Sequence, residues 1–229
     1  MAEETRHDRT RLILGDEALE KLFAAHVTVV GLGGVGGHCT EALARAGVGK
    51  MLLIDADTVN PSNLNRQLFA TKSTLGLPKT EAAKRRIEEV ADTRVETLEA
   101  FLKPENIPEL IPQSTSVIAD CCDSVLAKVA LAVFGREHGI PVVAALGAGN
   151  RLDPSAFSVT DIFATSGCPL ARKLRHELKK AGVPKLDVVI SSEEPKKTEP
   201  GSPVGSIATV PGAEGLVIAA HIIKLLTKS

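Results

Sequence analysis

A glycine-rich turn with the sequence GLGGVG lies directly between a predicted strand and a predicted helix. Its glycines are Gly31, Gly33, Gly34 and Gly36. Glycines let the backbone turn tightly and approach phosphate oxygens, while free N–H groups at the helix start attract negative charge. Asp55 follows the next predicted strand, where a carboxylate can accept hydrogen bonds from ribose hydroxyls. A nucleotide would use both features; the lesser alternative is that the glycines serve only to pack helix against strand.

The loop after Asp55 supplies further polar side chains and two cations. They are Asp57, Asn63, Arg66 and Gln67, followed by Lys79 at the start of a predicted helix. A dinucleotide's diphosphate can be held by the glycine turn alone, whereas a triphosphate that loses pyrophosphate needs fixed positive charge where negative charge builds up. Arg66 and Lys79 can supply that charge, so the pattern favours ATP. Taken singly, either cation is more simply a solvated surface charge.

A second acidic pair, Asp120 and Asp123, follows another predicted strand. Open α/β sheets bind ligands at the carboxyl ends of their strands, which makes both residues candidates for the same site. Asp123 can equally be the N-cap of the next helix. An NAD-dependent oxidoreductase, which needs only the glycine turn and Asp55, leaves Asp123 and the two cations unexplained. A nucleotide-binding regulator without catalysis remains a third interpretation.

Strands and helices alternate along the chain. Strands are predicted at 26–30, 51–54, 94–98, 116–120, 141–146 and 186–190, and helices after Asp16 and at 39–46, 80–90, 124–138, 170–180 and 215–226. Repeated strand-then-helix order predicts an α/β fold with a doubly wound, mostly parallel, Rossmann-like sheet and helices on both faces. We expect one domain over residues 1–229, with a mobile crossover loop at 192–204, where Glu, Lys, Pro and Ser predominate.

Composition excludes several classes of protein. The chain has 229 residues, 44% hydrophobic and 24% charged, with a formal net charge of -1, so charge alone indicates no partner. Its predicted strands are far shorter than the roughly 20 apolar residues that span a bilayer, so we expect a cytoplasmic protein without a membrane partner. Four cysteines form no C-x-x-C pair, and six Phe without Trp or Tyr offer few faces for base stacking.

Together these motifs resemble the ubiquitin-activating-enzyme-like superfamily of ThiF/MoeB-type adenylyltransferases, and the match runs nearly end to end. The resemblance implies that Asp55 binds ribose, that Asn63, Arg66 and Lys79 hold phosphates, and that Asp57, Gln67 and the glycine turn complete an ATP site. It implies that Asp123 binds Mg²⁺ or directs the substrate carboxylate. Arg9 would match an arginine that reaches the triphosphate of a neighbouring subunit, which implies a homodimer.

The second part of the chain is similar to one branch of that superfamily, the tRNA threonylcarbamoyladenosine dehydratases. The segments that carry this similarity are 147–154, 159–162 and 168–175. The branch implies ATP-dependent loss of water from the modified adenosine next to the anticodon. The alternative is an adenylyltransferase acting on the C-terminus of a sulfur-carrier or ubiquitin-like protein, but the C-x-x-C pairs usual in those enzymes are missing. Whether a sulfur-transfer protein is also a partner stays open.

Two features of the second part bear on a tRNA substrate. Cys168 as a nucleophile would need an activating neighbour, and an idle buried thiol is the simpler interpretation. A predicted helix concentrates positive charge at Arg172, Lys173, Arg175, His176, Lys179 and Lys180. Such a face can contact backbone phosphates without reading bases, or it can be an ordinary solvated amphipathic face.

Overall fold

The computed structural model describes residues 4–166, 168–199 and 201–228. In this part of the chain seven strands form one sheet: β1 His26–Val30, β2 Lys50–Ile54, β3 Arg94–Leu98, β4 Val117–Asp120, β5 Val142–Ala145, β6 Phe157–Asp161 and β7 Asp187–Ser191. Their order is β3-β2-β1-β4-β5-β7-β6. β6 pairs antiparallel with β7, and every other pair is parallel. The predicted doubly wound, mostly parallel sheet is therefore confirmed.

Helices cover both faces of this sheet. They are α1 Asp8–Leu14, α2 Asp16–Ala24, α3 Gly34–Ala46, α4 Lys79–Val90, α5 Ile107–Leu110, α6 Val125–His138, α7 Pro169–Lys180 and α8 Thr209–Thr227. Alternate residues of a strand point to opposite faces, and β1 shows the consequence. Val27 and Val29 pack with residues of α2, α3, α4 and α8, whereas Val30 packs with residues of α6 and α7. The sheet therefore separates two hydrophobic cores.

Three local predictions differ from the structure. Asp16 does not cap α2, because Gly15 occupies the N-cap position and the Asp16 carboxylate accepts a hydrogen bond from Arg11 Nε at 2.6 Å. Helix α1 was not predicted, since none of its residues is buried and it has no core-facing apolar period. Strand β6 was not predicted because only Phe157 of its five residues is buried, which leaves no apolar run.

The long helix α8 is apolar enough, by length and composition, to cross a membrane, with a mean hydropathy of 1.4. A core helix passes the same test, and α8 is packed as one. Val210, Ile218 and Ile222 belong to the core beside β1. A Cβ added at Gly215 would lie 2.3 Å from the Val35 carbonyl oxygen of α3. The buried side of α8 is therefore used in packing against the core and the glycine-rich helix α3.

The segment predicted to be a mobile crossover loop contains no helix or strand over residues 192–199 and 201–204, and Pro200 lies outside the described residues. Lys196 within this segment and Gly205 directly after it both bond to Asn150, whose φ of 58° is the left-handed conformation that Asn tolerates better than most residues. The Asn150 carbonyl accepts from Lys196 N at 2.7 Å, and its side-chain Oδ1 accepts from Gly205 N at 2.7 Å. Mobility of the loop stays a prediction.

Candidate nucleotide-binding site

A cavity of about 380 Å³ opens at the carboxyl ends of β1, β2 and β4. It lies where the strand order reverses between β1 and β4, the position at which open α/β sheets bind ligands. Ten of the residues predicted for the site line it: Gly31, Gly33, Gly34, Asp55, Asp57, Asn63, Arg66, Gln67, Lys79 and Asp123. Two predicted residues, Gly36 and Arg9, are not in its wall. The structure thus brings most of the predicted set together.

Glycine is required at two positions of the turn for different reasons. Gly31 has a φ of +88°, and a Cβ there would lie 2.8 Å from the Cys121 carbonyl oxygen, so it permits the turn to pass close to the end of β4. At Gly36 a Cβ would lie 1.8 Å from the Gly31 carbonyl oxygen. Gly36 therefore serves the packing of α3 on the turn, as the competing interpretation of the glycines proposed. Gly33 is the N-cap of α3 and has no side chain, which leaves the helix N–H groups for a ligand.

The Asp55 carboxylate ties the glycine turn to the end of β2. Its Oδ2 accepts from Leu32 N at 2.6 Å, and its Oδ1 accepts from Asp57 N at 2.8 Å. Each carboxylate oxygen can accept more than one hydrogen bond, so the group keeps capacity for a hydroxyl of a ligand. Asp55 is thus fixed by backbone groups before any ligand binds.

Lys79 reaches the cavity from the start of α4. Residues 57–59 and 76–79 are held together by a Thr58–Pro78 bridge and by the bond from Val59 N to Leu77 O at 2.8 Å. Lys79 Nζ lies 2.6 Å from Asp57 Oδ2 and 3.9 Å from Asp55 Oδ1. The residue is only 7% exposed. Lys79 is therefore a buried, oriented cation, and the interpretation of it as a solvated surface charge is wrong.

Arg66 follows a 3₁₀ turn at Pro61–Asn63 that packs beside the glycine turn. Asn63 shapes this turn, because its Oδ1 accepts from Asn60 N at 3.0 Å and its carbonyl accepts from Gln67 N at 2.9 Å. A Cβ added at Gly34 would lie 3.3 Å from the Arg66 carbonyl oxygen. The side chain of Arg66 lines the same cavity as Lys79 and is half-buried. Two cations thus border one cavity with the glycine turn.

The loop after β4 presents Asp123 on the cavity wall. Ser124 is the N-cap of α6, and its hydroxyl accepts from Ala127 N at 3.3 Å. The alternative role for Asp123 as the cap of this helix is therefore wrong. Asp123 is exposed, so its carboxylate is accessible to a ligand or a cation. The described residues contain no group of three or more His, Cys, Asp or Glu that could hold a metal ion. A divalent ion here would need phosphate oxygens to complete its ligands.

Asp120, by contrast, is fully buried behind the cavity and forms an ion pair. Its Oδ1 accepts from Lys128 Nζ at 3.1 Å and from Cys122 Sγ at 3.0 Å. Burial by itself would lower the pKa of Lys128, but attraction to Asp120 outweighs it and the pKa is raised. Lys128 therefore stays charged, and its contact with Asp120, which does not line the cavity, fixes the end of β4.

Ten further lining residues were not among the predicted site residues, and six of them come within four residues after the end of strand β3 or β4. These six are Ala100, Phe101, Leu102, Cys121, Cys122 and Ser124. Phe101 is 70% exposed and gives the cavity an apolar rim. A hydrogen bond to Cys39 and burial raise the pKa of Cys121 well above its usual range. Burial, with the Asp120 charge, raises that of Cys122. Both thiols stay protonated and are poor nucleophiles.

The remaining candidates lie outside the cavity wall. Arg9 is exposed on α1. Cys168 is buried, as the simpler interpretation held, and it is the N-cap residue of α7. The start of α7 adjoins the carboxyl end of β5, where Leu170 Cδ2 lies 3.9 Å from a Cβ added at Gly147. The basic helix therefore begins at the same edge of the sheet as the cavity.

Comparison with known proteins decides the family. A family model for the ThiF family matches residues 6–229. The chain belongs to the ThiF family. This membership confirms the resemblance drawn from the glycine turn and the polar loop that follows it.

Relatives within the ThiF family match over nearly the whole chain. The tRNA threonylcarbamoyladenosine dehydratase of Bacillus subtilis (strain 168) is 35% identical over 96% of this chain and 94% of its own length. The protein of the same name from Escherichia coli (strain K12) is 35% identical over 96% of this chain and 92% of its own length. The crystal structure of the E. coli enzyme in complex with ATP has a TM-score of 0.89 and 36% identity, covering 96% of this chain and 93% of that chain. This ThiF-family chain therefore shares both fold and length with a protein that binds ATP.

Proposed function

We propose that this ThiF-family chain is an ATP-dependent tRNA threonylcarbamoyladenosine dehydratase that activates a carboxylate as its adenylate. The observation that carries the proposal is the convergence of Arg66, Lys79 and Asp123 on one cavity with the glycine turn. Full-length relatives that carry this name, one of them solved with ATP and with AMP, support it. The coarser function, nucleotide binding at the carboxyl edge of the sheet, rests on the same cavity.

ATP fits the cavity with each part in a suitable environment. The α3 N-terminus and the N–H groups of the glycine turn would contact the negatively charged phosphates of ATP. Asp55 can accept hydrogen bonds from the ribose hydroxyls. Phe101 and Leu102 offer an apolar wall to the base. Arg66 and Lys79 supply fixed positive charge to the phosphates, with Asn63 and Gln67 as neutral donors. Their orientation before binding lowers the cost of stabilising the charge that develops when pyrophosphate leaves.

A carboxylate is a poor electrophile and must be activated before a nucleophile can attack it. It carries negative charge and offers only an oxide leaving group. Attack of a carboxylate oxygen of the threonylcarbamoyl group on the α-phosphorus expels pyrophosphate and gives a mixed anhydride with AMP. The ureido group of the same substrate then attacks the carbonyl carbon, and AMP leaves with the former carboxylate oxygen. The ring closes, and the substrate has lost the elements of one water.

No enzyme nucleophile is needed for ring closure. Intramolecular attack in a well-held geometry reaches effective molarities on the order of 10⁵ to 10⁸ M. The two thiols in the cavity wall, Cys121 and Cys122, have raised pKa values and stay neutral. Cys168 is buried outside that wall. The chemistry of the site thus agrees with a substrate that supplies its own attacking group.

Mg²⁺ is proposed as the ion that accompanies ATP. Mg²⁺ commonly takes one or two protein carboxylates and completes its shell with water and phosphate oxygens, which fits the exposed carboxylate of Asp123. When bound, the ion would neutralise phosphate charge. Asp123 would hold it or, in the same position, orient the incoming carboxylate.

The tRNA would meet the protein along α7. Arg172, Lys173, His176, Lys179 and Lys180 are exposed, and the buried side of the helix is formed by Ala171, Leu174 and Leu178. Only Glu177 opposes this charge within the helix. Because α7 begins at the edge of the sheet that holds the cavity, its first turn can hold backbone phosphates beside the reacting nucleotide. Such a substrate implies a cytoplasmic protein.

A homodimer would bring Arg9 to the site of the other subunit. Helix α1 supports this proposal because none of its residues is buried, while Leu12 and Ile13 are 87% and 84% exposed. Apolar side chains with this exposure are typical of a surface that a second subunit covers. Arg9 lies on the same short helix and would be carried with it.

The decisive experiment incubates the protein with ATP and bulk tRNA from cells that lack their own dehydratase. We expect pyrophosphate release and a modified nucleoside lighter by one water on mass analysis. Parallel reactions with candidate sulfur-carrier proteins test the alternative substrate. Pyrophosphate release with a carrier protein, together with unchanged tRNA, would overturn the proposal in favour of carrier activation.

A further inference from the structure

The side-chain amide of Asn65 joins two parts of the chain that are far apart in sequence. Its Oδ1 accepts a hydrogen bond from Arg66 Nη1 at 2.8 Å. Its Nδ2 donates to the Ser206 carbonyl oxygen at 2.9 Å. Asn65 is itself exposed and does not line the cavity. It therefore connects a cavity cation with the segment that leads into α8.

The position of Ser206, whose carbonyl accepts the hydrogen bond from Asn65, is fixed by contacts on both sides of it in the chain. The preceding residue, Gly205, donates its N–H to Asn150 Oδ1 at 2.7 Å. On the other side, α8 packs on the glycine turn, where a Cβ added at Gly34 would lie 3.0 Å from Pro211 Cβ. The Ser206 carbonyl is thus held between the β5 turn and the nucleotide turn.

The hydrogen bonds of Arg66 indicate that its contact with Asn65 sets the orientation of the guanidinium group. Nη1 makes both of the protein hydrogen bonds found for this side chain among the described residues, to Asn65 Oδ1 and to the Ser62 carbonyl oxygen at 2.9 Å. A guanidinium group is planar and carries five N–H donors. Fixing one terminal nitrogen sets the plane of the group and leaves the N–H groups on Nε and Nη2 for an anion in the cavity.

We infer that Asn65 is a positioning residue, which sets the guanidinium of Arg66 for the phosphates of ATP by anchoring it to Ser206. The inference rests on the proposed function, because it assumes that Arg66 holds phosphates. Asn65 does not touch the nucleotide in this arrangement and acts only through Arg66. A residue that merely stabilised the loop would affect every ligand of the cavity alike, and its effect would persist without the Arg66 side chain.

A double-mutant cycle separates these two roles. ATP and AMP affinities are measured by calorimetry for the wild type, Asn65→Leu, Arg66→Ala and the double variant. We expect Asn65→Leu to weaken ATP binding about tenfold, the size of one lost charge-assisted hydrogen bond, and AMP binding less than about twofold. In the Arg66→Ala background, Asn65→Leu should have no further effect. Leu64→Ala, in the same loop, is the control and should leave both affinities unchanged.

The outcomes distinguish this inference from the proposed function. Equal losses for ATP and AMP, or the same tenfold loss without Arg66, would overturn the positioning role while wild-type ATP binding stands. A wild type that binds no ATP would overturn the proposed function and the inference with it. Asn65→Ser, whose hydroxyl is too short to reach both partners, repeats the measurement with a smaller change to the surface. It should show the same loss for ATP and the same absence of effect without Arg66.

Discussion

The ammonium group of Lys79 lies 2.6 Å from Oδ2 of Asp57, and the backbone N–H of Lys79 donates to the Asp57 carbonyl at 2.9 Å. Two contacts from one residue fix both the start of α4 and the direction of the lysine side chain. A long, flexible cation in water would have to be ordered when the ligand binds. At this site that ordering is complete before binding, which is the condition for strong electrostatic stabilisation of a developing charge.

Lys79→Met should therefore reduce ATP-dependent pyrophosphate release by about 100-fold or more, the effect of removing one preorganised stabilising group. Lys84→Met in the same helix is the matched control, because Glu88 is the only salt-bridge partner of Lys84 among the described residues and Lys84 lies outside the cavity wall. It should stay within about twofold of the wild type, the range of a surface pair. Similar losses in both variants would mean that α4 was disturbed rather than the site.

The site residues that could be predicted from the sequence are those marked by short patterns of neighbouring residues. The glycine turn and Asp55 follow short apolar runs, and these runs are visible in the sequence because β1 is buried at all five positions and β2 at four of five. Arg66 and Lys79 were recognised from residue type and spacing. The burial of Lys79 could not be predicted, because it depends on the Thr58–Pro78 bridge, a pairing of two loop residues.

The parts that were missed depend on contacts between distant segments. The charges next to the Cys122 thiol come from Lys128 and Asp120, which lie on either side of the β4–α6 turn. Phe101 reaches the cavity from an irregular loop after β3. Strand β6 exists because β7 offers an edge for it to pair with, and its own residues are mostly exposed. No periodicity in the sequence carries that information.

Cys168→Ala should retain dehydration of tRNA. The thiol is buried at the start of α7, outside the cavity wall, so its loss removes one small buried side chain and no reacting group. The nucleoside should still lose one water on mass analysis, at a rate within about twofold of the wild type, while Asp123→Ala loses the activity. Loss of activity in Cys168→Ala, with its melting temperature unchanged, would show that a covalent thioester step exists.

Reversing two charges near the start of α7 should weaken tRNA binding. Arg172 and Lys173 are exposed, whereas Arg175 donates to the Thr165 hydroxyl and is better left in place. The variant with Arg172→Glu and Lys173→Glu should bind tRNA less tightly, and the slope of log affinity against log salt should fall by about 1.5, or two phosphate contacts. ATP affinity should not change.

The matched control for this charge change is Lys224→Glu with Lys228→Glu, at the exposed far end of α8. It alters the net charge by the same amount away from α7, so it reports the effect of net charge alone. Equal weakening of tRNA binding by both double variants would contradict a specific role for α7.

Subunit complementation tests the position of Arg9. If Arg9 acts on the neighbouring subunit, Arg9→Ala and Asp123→Ala should each be inactive, because every site in those homodimers lacks one group. Coexpression of the two variants forms mixed dimers with one intact site, so about a quarter of wild-type activity should return with random pairing in a two-fold dimer. Activity that does not return, in dimers shown to be mixed, would place Arg9 at its own subunit's site or outside catalysis.

The carboxyl group of Glu214 links α8 to the turn after β5 and should make stability depend on pH. It is completely buried, its Oε1 accepts from Leu146 N and Gly147 N at 3.0 Å each, and burial raises its pKa to about 7. Its Oε2 has no hydrogen-bond partner among the described residues. The group is therefore protonated in the folded protein over a pH range in which the unfolded chain is already ionised.

The sign of the effect follows from this difference. Between pH 4.5, the ordinary value, and about 7 the folded state binds more protons than the unfolded state, so the free energy of unfolding falls as pH rises through this window. Glu214→Gln keeps an oxygen for the two N–H donors and cannot ionise. Urea unfolding at pH 5 and pH 8 should show that the wild type loses about 2 kcal/mol more than the variant between these conditions. Parallel losses in the two proteins would mean that Glu214 is ionised in the folded protein at both pH values or titrates as in the unfolded chain.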